Sequence, residues 1–194
     1  MRKWAQLSSF RPARSRFEFR PHYAVSPWTD LVEVYWGKRC QMYVAPIGGR
    51  EVYVSILSSD RGLRIDCVLA RFPSVAKHLH FAQPVSAESG AVMALKRVKA
   101  VTRRNVALVG DASCTVDGIS GQGLSLAFQQ AIHFADALAR NELGCYRSAH
   151  SRIFQSSVPM TRLLLSTDRS VWLRRKALRL FSGNPGLFSK LISI

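Results

Sequence analysis

Residues 105–130 of the chain read NVALVGDASCTVDGISGQGLSLAFQQ, and this stretch decides how the rest is interpreted. The apolar run at 105–109 predicts a buried, parallel strand. Gly110 and Asp111 end that strand, a loop of small residues follows, and a Gly-Gln-Gly sequence opens a helix. This order of strand, turn, loop and helix N-terminus is typical of a ligand site at the end of a sheet.

The chemistry of the stretch follows from its backbone. A helix N-terminus has unpaired N–H groups and a partial positive charge. Gly121 and Gly123 allow a ligand to approach those N–H groups with no Cβ in the way, and Asp111 can accept hydrogen bonds from ligand hydroxyls. We therefore predict a site for a hydroxylated, partly anionic cofactor. The alternative is structural only: Gly110 and Asp111 form a turn, and the two later glycines cap a helix.

The residues before this stretch predict an antiparallel sheet. Residues 17–25, 31–36, 40–47 and 51–57 are β-rich, and glycine lies in the turns between the last three runs. Such a sheet can cover a ligand with one face. Helical spacing at 65–79 is interrupted at Pro73, and residues 90–101 return to a strand.

Helices are predicted from residue 123 to the end. Residues 123–140 place apolar side chains along one stripe, as expected of a helix that faces a core: Leu124, Ala127, Phe128, Ala131, Phe134, Ala135 and Leu138. Further helices are expected at about 143–165, 168–181 and 185–193, with breaks at Pro159 and at the sequence GNPG. The predicted segments are a sheet with a helical insert (1–100), the strand, loop and helix (101–140) and C-terminal helices (141–194).

Composition narrows the function classes. The 194 residues include 28 Lys and Arg against 12 Asp and Glu, but these basic residues are dispersed and no nucleic-acid-binding signature accompanies them. A solvated basic surface is favoured over specific nucleic-acid binding. The four cysteines are widely spaced, which predicts reduced thiols and no metal site. With no signal peptide and no apolar stretch long enough to span a membrane, the chain is expected in the cytoplasm.

The C-terminal stretch VWLRRKALRLFSGNPGLFSKLISI mixes apolar and basic residues in helical spacing. It predicts one of two roles. The favoured one is packing against the rest of the protein, with the basic side chains in solvent. The other is peripheral contact with an anionic membrane surface.

The stretch GDASCTVDGISGQGLSLAFQQA resembles the second flavin motif of FAD-dependent group A monooxygenases and geranylgeranyl-reductase-like oxidoreductases. The earlier residues RPHYAVSPWTDLVEVYWGKRCQMYVAPIGGREVYVSIL resemble the substrate-binding sheet of these enzymes, so the resemblance covers nearly the whole chain. It implies an α+β chain that carries part of an FAD/NAD(P)-binding fold. The antiparallel substrate-binding sheet comes first, and the buried strand, Gly-Asp loop, helix and C-terminal helical region follow.

The resemblance also implies roles for individual residues. Asp111 would hydrogen-bond the ribityl chain of FAD. The backbone around Gln122 would lie beside the pyrimidine edge of the isoalloxazine, where the helix dipole stabilises negative charge on the reduced flavin. The cofactor-binding residues implied are Gly110, Asp111, Gly118, Ile119, Ser120, Gly121, Gln122, Gly123 and Leu124.

The function implied is that of a monooxygenase-type enzyme that uses NAD(P)H and oxygen on a small apolar organic substrate. A reductase of the geranylgeranyl-reductase type and a basic, non-enzymatic binding module are the alternatives. Aromatic hydroxylases of this fold usually carry a His and then a Pro pair where Cys114, Asp117 and Gly118 stand, and often an Asn in place of Ser125. These departures favour the reductase-like and tailoring branches.

Enzymes of this class begin with a strand, a GxGxxG sequence and a helix that hold the pyrophosphate and adenosine of FAD. No GxGxxG occurs here. We therefore expect the chain to be the C-terminal portion of a longer enzyme, without the N-terminal Rossmann βαβ unit and with that missing half as its partner. Alone, it is expected to bind FAD weakly or not at all.

The sequence assigns no catalytic residue. His22, Trp28, Tyr35 and Tyr43 lie on the predicted sheet and are candidates for lining an apolar substrate pocket above the flavin. The alternative for each of them is ordinary packing.

Overall fold

The computed structural model describes residues 15–85, 89–93 and 96–192. Arg11 and Arg14, two of the dispersed basic residues, lie outside this part of the chain. The described residues form two compact units, one from Ser15 to Met93 and one from residue 96 onward. The three segments predicted from the sequence stay a prediction.

The first unit is built on a seven-stranded sheet in which every pairing is antiparallel. Its strands are β1 Arg16–Arg20, β2 His22–Ala24, β3 Glu33–Trp36, β4 Cys40–Gly48, β5 Glu51–Ser58, β6 Gln83–Pro84 and β7 Ser89–Met93. The main order is β3-β4-β5-β1-β7, and β2 pairs with β5 and β6. The predicted antiparallel meander is therefore confirmed for β3, β4 and β5.

One face of this sheet is apolar and forms the core of the unit. Met42, Val44, Val54 and Ile56 are at most 1% exposed on that face. Two short helices, α1 Ile65–Leu69 and α2 Pro73–Leu79, add their own apolar side chains to the same core. Proline at the first position of α2 cannot continue α1 but suits a helix start, so the predicted break falls there.

The opposite face of the sheet carries buried polar side chains. The Glu18 carboxylate accepts hydrogen bonds from the Ser55 hydroxyl at 2.8 Å and from the Tyr53 hydroxyl at 3.3 Å. Arg16 donates to the Gln41 side chain and, at 3.3 Å, to the Leu57 carbonyl. Within the described part of the chain, Glu18 Oε2 makes no hydrogen bond and lies 3.7 Å from Arg20 Nε, within ion-pair distance. Such pairing makes buried polar groups tolerable.

The second unit begins with four two-residue strands: β8 Lys96–Arg97, β9 Thr102–Arg103, β10 Val106–Ala107 and β11 Cys114–Thr115. The predicted parallel strand at 105–109 is wrong, because β10 is short and antiparallel to β9. The Leu108 N–H donates to the Val101 carbonyl at 2.8 Å, and the Leu108 carbonyl accepts from the Tyr146 hydroxyl at 2.6 Å. These bonds satisfy the Leu108 backbone without a parallel neighbour.

Four helices complete the unit: α3 Gly123–Ala139, α4 Leu143–Arg169, α5 Val171–Gly183 and α6 Pro185–Ile192. None of the helices in the described ranges is long and apolar enough to cross a bilayer. Most of the predicted apolar stripe of α3 does not face the core, since Leu124, Phe128 and Leu138 are 74%, 66% and 54% exposed, whereas Phe134 packs against it. The buried side of α3 instead carries Leu126, Gln130 and Ala137.

The predicted break at Pro159 is also wrong, because α4 continues through it. Proline removes one backbone hydrogen bond, here the one that would reach the Gln155 carbonyl. Both residues are exposed, so water can satisfy that carbonyl. The helix therefore tolerates the proline at some cost.

Replacing Pro159 with alanine restores that N–H and should raise the free energy of unfolding by about 1–3 kcal/mol. Chemical denaturation of Pro159→Ala beside the parent chain measures the change. Gln155→Ala, on the same exposed face, should change stability by only a few tenths of a kcal/mol. A lower stability for Pro159→Ala would show that α4 needs the proline.

Candidate functional site

The loop between β10 and α3 is held by tight turns at two glycines. Gly110 begins a 3-10 turn over Gly110–Ala112, and Gly121 ends a second one over Gly118–Ser120. Their φ angles are +59° and +65°, which L side chains rarely adopt. A Cβ on Gly110 would also lie 3.4 Å from the Ala127 Cβ. The backbone therefore requires glycine here for local reasons.

Asp117 fixes the second turn from inside the protein. Its side chain is 5% exposed, and its Oδ1 accepts a hydrogen bond from the Ile119 N–H at 3.0 Å. The Ser120 hydroxyl donates to the Asp117 carbonyl at 3.2 Å. Asp117 departs from the family pattern, and the structure gives it the role of a turn cap.

The N-terminus of α3 is open. Gln122 occupies the N-cap position, and its side chain makes no capping bond. A Cβ built on Gly121 or Gly123 would meet no atom within 4 Å. The space beside the two glycines is therefore open, as a ligand that approaches the helix N-terminus would need.

The Gln122 side chain is the unusual feature of this helix end. It is only 5% exposed, and neither its Nε2 nor its Oε1 has a hydrogen-bond partner among the described residues. A buried amide left unpaired costs about 1–3 kcal/mol, so such groups are rare unless water or a ligand completes them. Both atoms are closed to solvent, so the side chain must turn outward to meet a bound group that offers both a donor and an acceptor.

The other predicted cofactor residues fall in the same loop and helix start. Asp111 is exposed in the first 3-10 turn and keeps contacts of its own. Ile119 is 3% exposed in the second turn, whereas Leu124 is 74% exposed on α3. Gly118 and Ser120 begin and end the second turn. Their assignment to a cofactor stays a prediction.

A buried polar network joins this loop to α3 and α4. Gln130 Oε1, on α3, accepts from the Gly110 N–H at 2.8 Å and lies 2.9 Å from the Ser113 hydroxyl oxygen. Gln130 Nε2 donates to the Cys114 sulfur at 3.2 Å. Nε2 of His150, on α4, lies 2.9 Å from the Ser113 hydroxyl oxygen. Both Gln130 and His150 are at most 1% exposed, so the network is internal.

The hydrogen bonds decide the tautomer of His150. The Ser113 hydroxyl has one proton and lies near two groups that only accept, the Gly110 carbonyl at 2.8 Å and Gln130 Oε1. An Nε2–H tautomer donates to Ser113 and leaves that proton for one of these acceptors. Burial, and secondarily the positive charge of Arg97, lower the pKa of His150 to about 4. The imidazole is therefore neutral near pH 7.

Cys114 belongs to the same network and is 4% exposed. Burial raises the pKa of its thiol, so it stays protonated and poorly nucleophilic. The sulfur packs with Val116, Leu126, Ile153 and Phe154 in one apolar cluster. Its position beside the loop is explained by packing.

Gln130 and His150 were missed by sequence reasoning. They lie 17 and 37 residues from Ser113, and no sequence spacing connects them to it. The available signal was a glutamine that interrupts an apolar helix. Its position on the buried side of α3 becomes visible only in the structure.

The four predicted substrate-pocket residues do not share one face of the sheet. Trp28 stacks on His78 at 4.3 Å, and Tyr35 packs edge-on against Phe72, both beside the apolar core. Tyr43 follows Met42 on β4 and so points to the other face. His22 pairs in register with Tyr53, and its Nδ1 lies 2.9 Å from Glu51 Oε1. A substrate role for each of the four stays a prediction.

Glu33 links two of these residues. Its Oε2 accepts from Trp28 Nε1 at 3.0 Å and from the Tyr35 hydroxyl at 2.7 Å. Burial, followed by the Glu33 carboxylate, raises the pKa of Tyr35 to about 12. Both aromatic side chains therefore have a structural partner.

Solved flavoenzymes share this architecture. The flavin-dependent halogenase CmlS aligns with a TM-score of 0.66 and 16% identity over 86% of this chain and 34% of its own. OxyS anhydrotetracycline hydroxylase from Streptomyces rimosus aligns with a TM-score of 0.68 and 19% identity, over 99% of this chain and 43% of its own. PqsL, a probable FAD-dependent monooxygenase from Pseudomonas aeruginosa, aligns with a TM-score of 0.63 and 19% identity, over 93% of this chain and 55% of its own.

The chain has the fold of part of a flavin-dependent monooxygenase or halogenase. The predicted resemblance is thus confirmed at the level of the fold. The chain spans 34–55% of the length of these three flavoenzymes. No family model and no curated protein sequence matches it.

Gln130→Leu keeps the approximate size of the side chain but leaves the Gly110 N–H without its acceptor and the Cys114 sulfur without its donor. We expect the free energy of unfolding to fall by about 1–3 kcal/mol, measured by chemical denaturation. Gln155→Leu makes the same chemical change on the exposed side of α4 and should alter stability far less. Equal losses in the two variants would contradict the network.

His150 should make stability depend on pH. The unfolded chain takes up a proton near pH 6.5 and the folded chain only near pH 4, so stability is lost as pH falls from 6.5 towards 4. His150→Gln removes this proton uptake and should flatten that part of the curve. Thermal unfolding of both proteins across pH 4–7.5 measures the difference. Parallel curves would show that His150 is not held neutral.

Proposed function

We propose that the chain forms the isoalloxazine and ribityl part of the FAD site of a flavin-dependent oxidoreductase. The observation that carries the proposal is the unpaired Gln122 amide, buried at an open helix N-terminus. The flavin pyrimidine ring offers carbonyl oxygens and an N–H beside one another, which matches an amide that lacks both an acceptor and a donor. The flavoenzyme fold supports this choice of ligand over a simple anion.

Each part of the site has a proposed task. The first-turn N–H groups of α3 and the helix dipole would hold the electron-rich edge of the ring and favour negative charge there. Asp111, exposed in the first 3-10 turn, would accept hydrogen bonds from the ribityl hydroxyls. Gln130 and His150 would keep that turn in place through Ser113. FAD, when bound, supplies the redox and oxygen chemistry.

The complete enzyme is proposed to be of monooxygenase type, with NAD(P)H as electron donor, oxygen as oxidant and a small apolar organic molecule as substrate. Support comes from the neighbours, which include a hydroxylase and a probable FAD-dependent monooxygenase. The adenosine and pyrophosphate of FAD have no assigned residues in the chain. We therefore expect riboflavin, FMN and FAD to bind with similar, weak affinity.

Gln122→Leu tests the proposal because two measurements should move in opposite directions. Without flavin the variant loses no hydrogen bond and is relieved of a buried unpaired amide, so its stability should be equal or higher. Riboflavin affinity, measured by quenching of flavin fluorescence, should fall about tenfold or more.

Gln130→Leu is the matched control, since the same chemical change should lower stability even without flavin. If Gln122→Leu is less stable and binds riboflavin as the parent chain does, the Gln122 amide has a partner in the protein and the proposal fails. Binding of FAD far tighter than of riboflavin would show that the chain also holds the adenosine half.

A further inference from the structure

The helix α5 exposes an unusual combination of side chains. Val171, Trp172, Leu178 and Leu180 are 51–64% exposed, and no residue of the helix is buried. Leu187 on α6 is 41% exposed as well. Val171 and Trp172 lie on the outer side of α5, and Leu178 and Leu180 flank the half-buried side.

The charge of the same region has one sign. Residues 170–194 contain Arg174, Arg175, Lys176, Arg179 and Lys190 and no acidic residue. Arg175, Lys176 and Arg179 are exposed on α5, and Lys176 lies beside Trp172. The charge of this surface is therefore complementary to a negatively charged partner.

The side chains are arranged around the helix in a definite order. Trp172 and Lys176 lie four residues apart, and the Lys176 ammonium sits 4.1 Å from the centre of the indole ring. Arg175 and Arg179 occupy the adjoining row. The half-buried side, with Leu173, Ala177 and Phe181, is the opposite one, and α5 packs against α4. The outer side of α5 is therefore basic, with Trp172 within it.

We propose that the outer side of α5 binds the surface of an anionic lipid bilayer. Tryptophan belongs at the boundary between lipid and water because its ring is apolar and its N–H is polar. Lys and Arg side chains can lie along apolar material while their charges reach the headgroups. Val171, 54% exposed beside Trp172, gains nothing from nucleic-acid phosphates, so a lipid surface is favoured over RNA or DNA. This surface is separate from the flavin proposal.

Co-sedimentation of the full chain with vesicles tests the proposal. Vesicles that contain phosphatidylglycerol should bind the protein at low salt, and vesicles of phosphatidylcholine alone should bind it much less. High salt should weaken the binding, because screening reduces attraction between exposed charges. No binding to the anionic vesicles at low salt would overturn the proposal.

Matched variants separate this surface from the general positive charge of the chain. In Arg175→Gln/Lys176→Gln, affinity should fall roughly thirtyfold, since each basic side chain near an anionic surface contributes about fivefold. Arg71→Gln/Lys77→Gln removes the same charge from exposed positions of the first unit and should leave affinity nearly unchanged. Equal losses in both double variants would overturn the proposal.

The fluorescence of Trp172 reports whether α5 enters the bilayer. Brominated lipids quench tryptophan that enters the bilayer, so they should quench the parent chain more than Trp172→Phe. Equal quenching would contradict insertion at α5. Binding to single-stranded RNA that Arg175→Gln/Lys176→Gln abolishes, without vesicle binding, would overturn the lipid proposal in favour of a nucleic acid.

Discussion

The hydrogen bond from the Gly110 N–H to Gln130 Oε1 connects the glycine-rich loop to the helix that follows it. The loop has little regular structure, with two 3-10 turns and one two-residue strand, so side chains must hold its backbone. Gln130 does so from α3, and His150 does so from α4 through Ser113. Because the Ser113, Gln130 and His150 side chains are buried, water does not compete for these hydrogen bonds.

Gln122 differs from the other buried polar groups of the loop. Asp117, Ser113 and Gln130 each have partners at hydrogen-bond distance, whereas the Gln122 amide has none among the described residues. The unpaired Gln122 amide lowers the stability of the ligand-free protein, and a ligand that hydrogen-bonds to this amide would remove that penalty. The amide lies at the helix N-terminus, beside the open space at Gly121 and Gly123, so a ligand bound there would gain this stabilisation.

Local sequence patterns correctly predicted the strands and helices that bury one face and expose the other. The alternation in β4 and β5 places Met42 and Val54 in the core, and Pro73 separates α1 from α2 because proline lacks an N–H. The pattern failed at residues 105–109, since a short apolar run does not show what it pairs with. It also failed on α3, where most of the apolar stripe is exposed and the buried side carries Gln130.

The candidate site was predicted in part. Gly110, Gly121 and the start of α3 follow from local backbone requirements, which a sequence displays directly. The bonds among Ser113, Gln130 and His150 depend on how helices pack, and the unpaired state of Gln122 depends on everything around it. Neither property has a local signature in the sequence.

The most direct test of the flavin assignment is an NMR titration that follows backbone amides with riboflavin and, separately, with ADP. Riboflavin carries the ring and ribityl chain, and ADP carries the other half of FAD. We expect riboflavin to shift the amides of Gly121, Gly123 and Leu124, and ADP to leave them unchanged. Shifts of these amides by ADP, or none by riboflavin, would contradict a flavin site at the start of α3.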